Sequence, residues 1–394
     1  MTAEGLPRPL GKFAIPRFFQ PSTLGTSGDC LLQLAAGAHG LDALRLPTRP
    51  EAALGEVFHL TLSGWAKSDG SRSPEFFFSE AEAFVNARLG ADPKRAHQSP
   101  IKNTVTFQKW MGFRARSIGA CSTIRPSLRT VASKEDFSDR FSRAPLKEIE
   151  TLRENSTYRL RGRPDSVRWI TPRRIEVRDF KSGSIYEEDG TVKRAIVLQL
   201  WAYGLIIAEE YPDASIELIV DDGAEHRIPF GKAERDLARE SIMQRLAMLP
   251  ADTEVEAISL ASPGPSCEWC KVRHVCSAYL QTAPEWWRKY PSELRRIPND
   301  TWGKVLAVEK QRGQTRVRLI DPAGRTISIE NLSERHKISE DCSNGWLWFF
   351  GLSQRGRSRT PDGASFHPHN FFELPRDMYE TRAWAASTYY SMPE

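Results

Sequence analysis

The chain has 394 residues, a formal net charge of +5 and a pI of about 8.8. That length allows two or three domains with sizeable cores, and the lack of repeats or low-complexity blocks excludes a fibrous or disordered chain. The mild basicity is compatible with nucleic acid.

The N-terminal "MTAEGLPRPLGKFAIPRFF" has prolines and charges where a signal peptide needs an apolar core. The longest apolar run, "AIVLQLWAYGLIIA", is too short to span a bilayer. The expectation is therefore a cytoplasmic protein with no membrane partner. In that compartment the six cysteines are reduced, so clustered ones point to metal before disulfide.

Apolar residues at helical spacing predict a helix over 50–66, which carries His59. "SEAEAFVNARLG" and "TFQKWMGFRARSIGA" continue the helical pattern, and the polar stretch 133–148 reads as a loop. "STYRLRGRPDSVRWI" and "RRIEVRDFKSG" read as neighbouring strands joined by the turn "TPRR". A helix, "RAIVLQLWAYGLIIAEEY", follows, then the strands "SIELIVDD" and "EHRIPF" and the helix "AERDLARESIMQRLAML". This order predicts an α/β core. From about residue 289 the chain alternates strongly, with turns at "RGQ" and "PAGR" and a further strand in "NGWLWFFGLSQRGR". That texture predicts a separate small β domain, OB-like or SH3-like, followed by an irregular aromatic tail.

In "IEVRDFK", Ile175, Val177, Asp179 and Lys181 share one side of the strand, because side chains alternate with period two. Asp165, in "RGRPDSV", lies on the preceding strand. Two acids on adjacent strands suit Mg²⁺, which takes oxygen ligands, and a lysine beside them can face charge developing on a phosphate. His59 is a candidate further ligand. Pro164 cannot donate to a ladder, so the strand is expected to be at an edge or bulged there.

These residues resemble the active-site core of the PD-(D/E)xK nucleases, in the RecB-like branch. "GRPDSV" followed closely by "VRDFKSG", the helix "LQLWAYG" with Gln199 and Tyr203 four apart, and "GEVFH" with Gly55 and His59 carry the resemblance. It covers about residues 20–285. It implies a restriction-endonuclease-like mixed sheet flanked by helices, with His59, Asp165 and Asp179 binding Mg²⁺ or Mn²⁺. Lys181 would assist catalysis, and Gln199 and Tyr203 would support the site or the DNA backbone. It also implies that the helical insertion, about 67–150, guides single-stranded DNA. There "KWMGFRARS" and "TIRPSLRT" offer arginines and aromatics for phosphates and bases.

"CEWCKVRHVC" places Cys267, Cys270 and Cys276 in a short segment, within 262–280. The spacing permits tetrahedral zinc, with His274 as a local ligand, or an iron–sulfur cluster. The triplet resembles the iron–sulfur subgroup of RecB-like nucleases, which includes AddB-type and CRISPR-associated members. That resemblance implies a [4Fe-4S] cluster whose fourth ligand lies far upstream, where Cys30 stands. Cys121 and Cys342 read as isolated buried thiols.

The expected organisation is a nuclease domain over 1–288 and a β-rich domain over 289–394. In the latter, Trp302, Trp346 and Trp348 read as core more than as stacking platforms. The expected function is a metal-dependent DNase acting on single-stranded or frayed DNA, in repair, recombination or antiviral defence. The alternative is a non-catalytic nucleic-acid-binding or scaffold subunit, with zinc in place of iron–sulfur. The sequence has no P-loop, so a helicase motor would be a separate partner chain.

Overall fold

A computed structural model describes residues 10–38, 46, 50–90, 101–104, 107–122, 124, 147–251, 253–286, 300–311, 314–322, 324, 326–333, 345–350 and 365–366. Its helices are α1 (Pro21–Thr26), α2 (Leu31–Ala38), α3 (Pro50–Lys67), α4 (Pro74–Gly90), α5 (Phe107–Cys121), α6 (Arg194–Glu210), α7 (Lys232–Ala247) and α8 (Ser277–Trp286). Its strands are β1 (Lys12–Ala14), β2 (Lys147–Ile149), β3 (Arg153–Asn155), β4 (Leu160–Gly162), β5 (Ser166–Thr171), β6 (Arg174–Phe180) and β7 (Ser215–Asp221). They continue with β8 (Glu225–Ile228), β9 (Glu254–Glu256), β10 (Thr301–Gln311), β11 (Gln314–Ile320), β12 (Thr326–Ser333), β13 (Trp346–Phe349) and β14 (Ser365–Phe366).

The main sheet has the order β2-β5-β6-β7-β8. Only β6 and β7 are parallel, and α6 makes the crossover between them. Six of the seven β6 residues are buried, as expected of a central strand covered on both faces. Alternation then sorts its side chains. Ile175 and Val177 join the large core shared with α6, whereas Phe180 joins a second core.

That second core belongs to α3, α4 and α5. In α3, Ala53, Leu54, Val57, Phe58 and Leu62 recur at three- and four-residue spacing and are buried together. Trp110 and Phe113 of α5 also lie in this core, tilted against Phe78. The aromatics of "KWMGFRARS" are thus packing residues here, while Arg116 reaches the carbonyl of Ser182 (2.9 Å). Most of "TIRPSLRT", and the loop 133–146, lie outside the described residues; Lys147 and Glu148 begin β2 instead.

The single strand expected over 156–170 is two strands. Residues 156–159 form a turn, β4 pairs with β3 in a small separate sheet, and β5 lies inside the main sheet between β2 and β6. Pro164, with no amide hydrogen, stands at the break. Asp165 therefore sits at the mouth of an interior strand, not on an edge. N-terminal elements close around this core. β1 pairs with β9, and α1 packs on α6 at Gly25, where a Cβ would come within 2.2 Å of the Ala195 carbonyl oxygen.

A second five-stranded sheet has the order β13-β10-β11-β12-β14, with β12 and β14 parallel. Val305, Val317, Leu319, Ile327, Ile329 and Phe349 form its own core. Trp302 and Trp348 are buried and belong to the large core together with Cys276 and Tyr279; Trp346 is half-exposed and stacks on Trp348. A buried, bidentate Arg273–Asp300 pair (2.6 and 2.9 Å) ties the cysteine segment to the start of β10. Tyr279 also donates to Asp300 (2.6 Å). Among the described residues, no helix is long and apolar enough to cross a membrane.

Candidate active site

Asp179 is the penultimate residue of β6, and Lys181 follows the strand directly. The Lys181 amide donates to the Asp221 carbonyl (2.8 Å), so the chain stays extended for one more residue and keeps both side chains on one side. The Lys181 ammonium lies 2.6 Å from Asp179 Oδ2. Gln199, on α6, bridges the two: its Nε2 donates to Asp179 Oδ1 (2.8 Å) and its Oε1 accepts from Lys181 Nζ (2.9 Å). Only one amide orientation satisfies both bonds.

Asp165 approaches from the mouth of β5. Its Oδ2 accepts from the Phe180 amide (2.6 Å), and its Oδ1 lies 3.3 Å from His59 Nδ1 on α3. One turn further along α6, the Tyr203 hydroxyl donates to the Arg163 carbonyl (3.0 Å), two residues before Asp165. Gly162 makes room for this ring, since a Cβ there would meet Pro21 at 2.7 Å and Tyr203 at 3.0 Å. All six predicted residues of the acidic site therefore meet at one end of the sheet. Gly55 faces Ser182 beside them, but a Cβ there would sit at an ordinary 3.6 Å, so space does not demand glycine.

The two carboxyls titrate differently. Burial pushes Asp179 up, and the neighbouring Asp165 adds to this against the pull of Lys181. Burial would raise Asp165 too, but His59, Lys181 and the Phe180 amide hold it below the usual carboxylate range. Burial disfavours charge on His59 and Lys181, yet the acids beside them raise both. Burial and the two acids push the Tyr203 phenol far above its ordinary value, so it stays a protonated donor.

This donor set fits a hard divalent cation. It offers two carboxylates and an imidazole at one end of the sheet, oxygen and nitrogen donors of the kind such an ion takes, with the Lys181 ammonium against Asp179 Oδ2. As placed, the side chains satisfy one another: among the described residues no three His, Cys, Asp or Glu are gathered as metal ligands.

Glu150 escaped the sequence reading. It adopts φ of +48°, its amide donates to the Asp165 carbonyl (3.3 Å), and its carboxylate accepts from Ser63 (2.6 Å) and Lys67 (3.2 Å). With His59, Asp165 and Phe180 it lines a cavity of about 10 Å³. The spacing of Ser63 and Lys67, four and eight residues beyond His59, was the available signal for one helix face.

The cysteines separate into two groups. Cys30, Cys267, Cys270 and Cys276 are all buried, and a negative charge on Cys30 would raise each of the other three. Burial, with repulsion among these sulfurs, raises Cys267 to about 11 and also raises Cys270 and Cys276. Backbone amides nevertheless point at the sulfurs: Gly264 donates to Cys267 and Tyr279 to Cys276, both at 3.4 Å, and Val272 donates to Cys270. Arg245 braces the turn before Cys30 through Leu24 O (2.7 Å), Ser27 Oγ (2.8 Å) and Gly28 O. Cys121 instead lies in the helical core, its thiol near Ser117 O and raised by burial to about 12. The buried His274 ring packs edge-on against Phe350. Cys342 lies outside the described residues.

A search among curated proteins finds no match to this chain. The profile of the PD-(D/E)XK nuclease superfamily matches residues 20–277, which span α1 to the start of α8 and contain every residue of the acidic site. Membership implies phosphodiester-cleaving nuclease chemistry, which in this superfamily generally uses Mg²⁺ or Mn²⁺. The match, over more than half of the chain, and a mixed sheet with an acid–acid–lysine site at its end place this protein in the PD-(D/E)XK nuclease superfamily.

Proposed function

We propose that the protein is a Mg²⁺- or Mn²⁺-dependent DNase of the RecB-like branch, acting on single-stranded or frayed DNA. The observation that carries this reading is the contact network joining Asp165, Asp179, Lys181 and Gln199. His59, Asp165 and Asp179 are the metal ligands in this reading. A divalent cation bound there supplies Lewis acidity and positive charge for phosphodiester hydrolysis. The Lys181 ammonium stands where it can meet negative charge developing on the phosphate. Gln199 and Tyr203 are positioning residues: one fixes the Asp179–Lys181 geometry, the other anchors the backbone that leads to Asp165.

In the same proposal, Cys30, Cys267, Cys270 and Cys276 hold a [4Fe-4S] cluster that joins the two ends of the 1–288 nuclease domain. Amide donors aimed at sulfur favour thiolates, which supports ligated metal over four free thiols. In this reading residues 289–394 are a second, β-rich domain, and the protein acts in the cytoplasm in DNA repair, recombination or antiviral defence; as the sequence carries no P-loop, a helicase motor would be a partner chain.

The test is cleavage of end-labelled single- and double-stranded DNA with Mn²⁺, with either end blocked, by wild type and Lys181→Ala. Cleavage by wild type and its loss in the variant are expected. Equal inactivity favours a non-catalytic binding subunit. Brown protein absorbing near ~400 nm is expected for the cluster, whereas colourless protein with stoichiometric zinc rejects it.

A further inference from the structure

A groove of about 690 Å³ begins beside the active site, at Tyr203, Arg163 and Gly162, and runs along Pro16–Gln20. Gln20 and Ser22 also line a second cleft, of about 320 Å³, that ends at Trp269, Cys270 and Lys271. The two adjoin at Gln20 and Ser22, one reaching the catalytic end of the sheet and the other the cysteine segment. Among the described residues no carboxylate lines either part, whereas Arg17, Arg163, Lys271 and Arg161, which is paired with Glu154, do.

The lining is aromatic as well as cationic. Phe18 has the guanidinium of Arg161 4.6 Å and that of Arg17 5.3 Å from its ring centroid. Trp269 stands between two of the clustered cysteines, yet is 57% exposed. A large aromatic placed in water beside a rigid, buried segment invites a stacking ligand. The first platform is held next to β4: the Phe19 amide donates to Arg159 O and the Arg161 amide to Phe19 O, both at 2.9 Å, so Phe19 bridges to Leu160. The side chains of Arg17 and Arg163 have no ion-pair partner among the described residues.

Cations for phosphates and separated aromatics for bases suit an unpaired strand, because in a duplex the base faces are already stacked on neighbours. We propose that this groove carries single-stranded DNA between the acidic site and the cysteine segment. Phe18 and Trp269 are the base platforms, and Arg17 and Arg163 are phosphate contacts. The choice of DNA rests on the nuclease reading above; the path itself rests on the lining.

The experiment is fluorescence anisotropy of a labelled dT oligomer with the full chain in EDTA, where no cleavage occurs. Phe18→Ala and Trp269→Ala are each expected to weaken binding about tenfold. Trp269→Phe restores most of the loss and guards against damage to the cysteine segment. Arg17→Ala with Arg163→Ala is expected to lower the salt slope of log K by about 1.4, at ~0.7 per single-strand phosphate. Absent dT binding by wild type, or unchanged affinity in both Phe18→Ala and Trp269→Ala, overturns the proposal. Equally tight binding of duplex DNA, or tighter binding of rU, overturns the assignment of the strand. Cleavage by wild type with unaltered variant affinity leaves the nuclease reading standing and removes the groove. Groove-dependent binding without cleavage does the reverse.

Discussion

The acidic site and, in the proposed reading, the cysteine site solve the same problem, holding like-charged groups together, in opposite ways. At the acidic site the functional groups bind one another: Lys181 lies against Asp179, Gln199 bridges both, and His59 faces Asp165. An ammonium and an imidazole offset the carboxylates before any cation arrives. At the cysteine site the offset is weaker: Arg273 and the Gly264 amide pull Cys267 down, yet burial outweighs them, and Cys267, Cys270 and Cys276 are all raised. Metal binding inverts that logic by deprotonating thiols outright. The acidic site should therefore keep its shape without metal, while the cysteine site, if it holds the proposed cluster, should depend on that cluster for much of its stability.

The largest expected effect breaks the second half of this comparison. In the proposed reading Cys30 and the triplet join segments more than 230 residues apart, and a metal clip closing so long a loop removes much unfolded-chain entropy. Cys30→Ser is expected to abolish the absorbance near ~400 nm and lower the melting temperature by about 10 °C or more. Cys121→Ser, in the helical core, should leave the colour intact. If both variants stay brown, Cys30 is not a ligand.

Next comes chemistry at the acidic site. Lys181→Ala is expected to slow DNA cleavage about 10²–10³-fold, the usual cost of removing one aligned electrostatic group. With Mn²⁺ present the fold should survive, because the cation takes over neutralisation of the two acids. Single-turnover rates and thermal melts on the same samples separate these outcomes. A large melting shift with little loss of rate would make Lys181 a structural counter-ion.

Much of the acidic site was legible because its signals are local. Period two set Asp179 beside Lys181, and a spacing of four set Gln199 beside Tyr203. Most of the elements were likewise readable from alternation and helical spacing. What was not legible depends on chain closure over long distances. The strand break at Pro164 becomes an interior mouth only because β2 covers β5 from the other side. Glu150 reaches the site through a positive φ that no pattern announces. The groove exists because Pro16–Gln20 docks on β4, some 140 residues later. The cysteine triplet was visible from spacing, whereas the bracing of Cys30 by Arg245 was not.

A smaller effect sharpens the first half of the comparison through pH. Asp179 and His59 both titrate above their ordinary values in the folded protein. The folded state thus holds their protons longer than the unfolded chain does. Metal-free stability from these two groups is present at low pH and is lost as pH rises through their folded values. Asp165, held low, acts oppositely and only in more acidic solution. Mn²⁺ must displace the protons on Asp179 and His59, so its affinity should rise with pH. Melting scans are expected to show a larger Mn²⁺ stabilisation at pH 8.5 than at pH 5.5, reaching about 2.7 kcal/mol at a hundredfold excess over Kd. Asp165→Asn should remove most of it. A Mn²⁺ shift that is flat across this range would mean that the site binds the ion without displacing those protons.

The smallest effect separates positioning from chemistry within the acidic site. The Tyr203 phenol is kept protonated by burial and by the acids, so it cannot serve as a base; it donates to Arg163 O and also interacts with Gln199. Tyr203→Phe removes that donor and leaves a carbonyl short of a partner where Pro164 already breaks the ladder. The expected cost is about 1 kcal/mol in urea unfolding. Cleavage should fall only a few-fold with its pH profile unchanged, since Asp165 is displaced slightly but no titrating group is lost. A loss as deep as that of Lys181→Ala would put the hydroxyl in contact with the reacting phosphate. The mouth of β5 would then be a substrate-binding edge and not merely the hinge that aims a carboxylate.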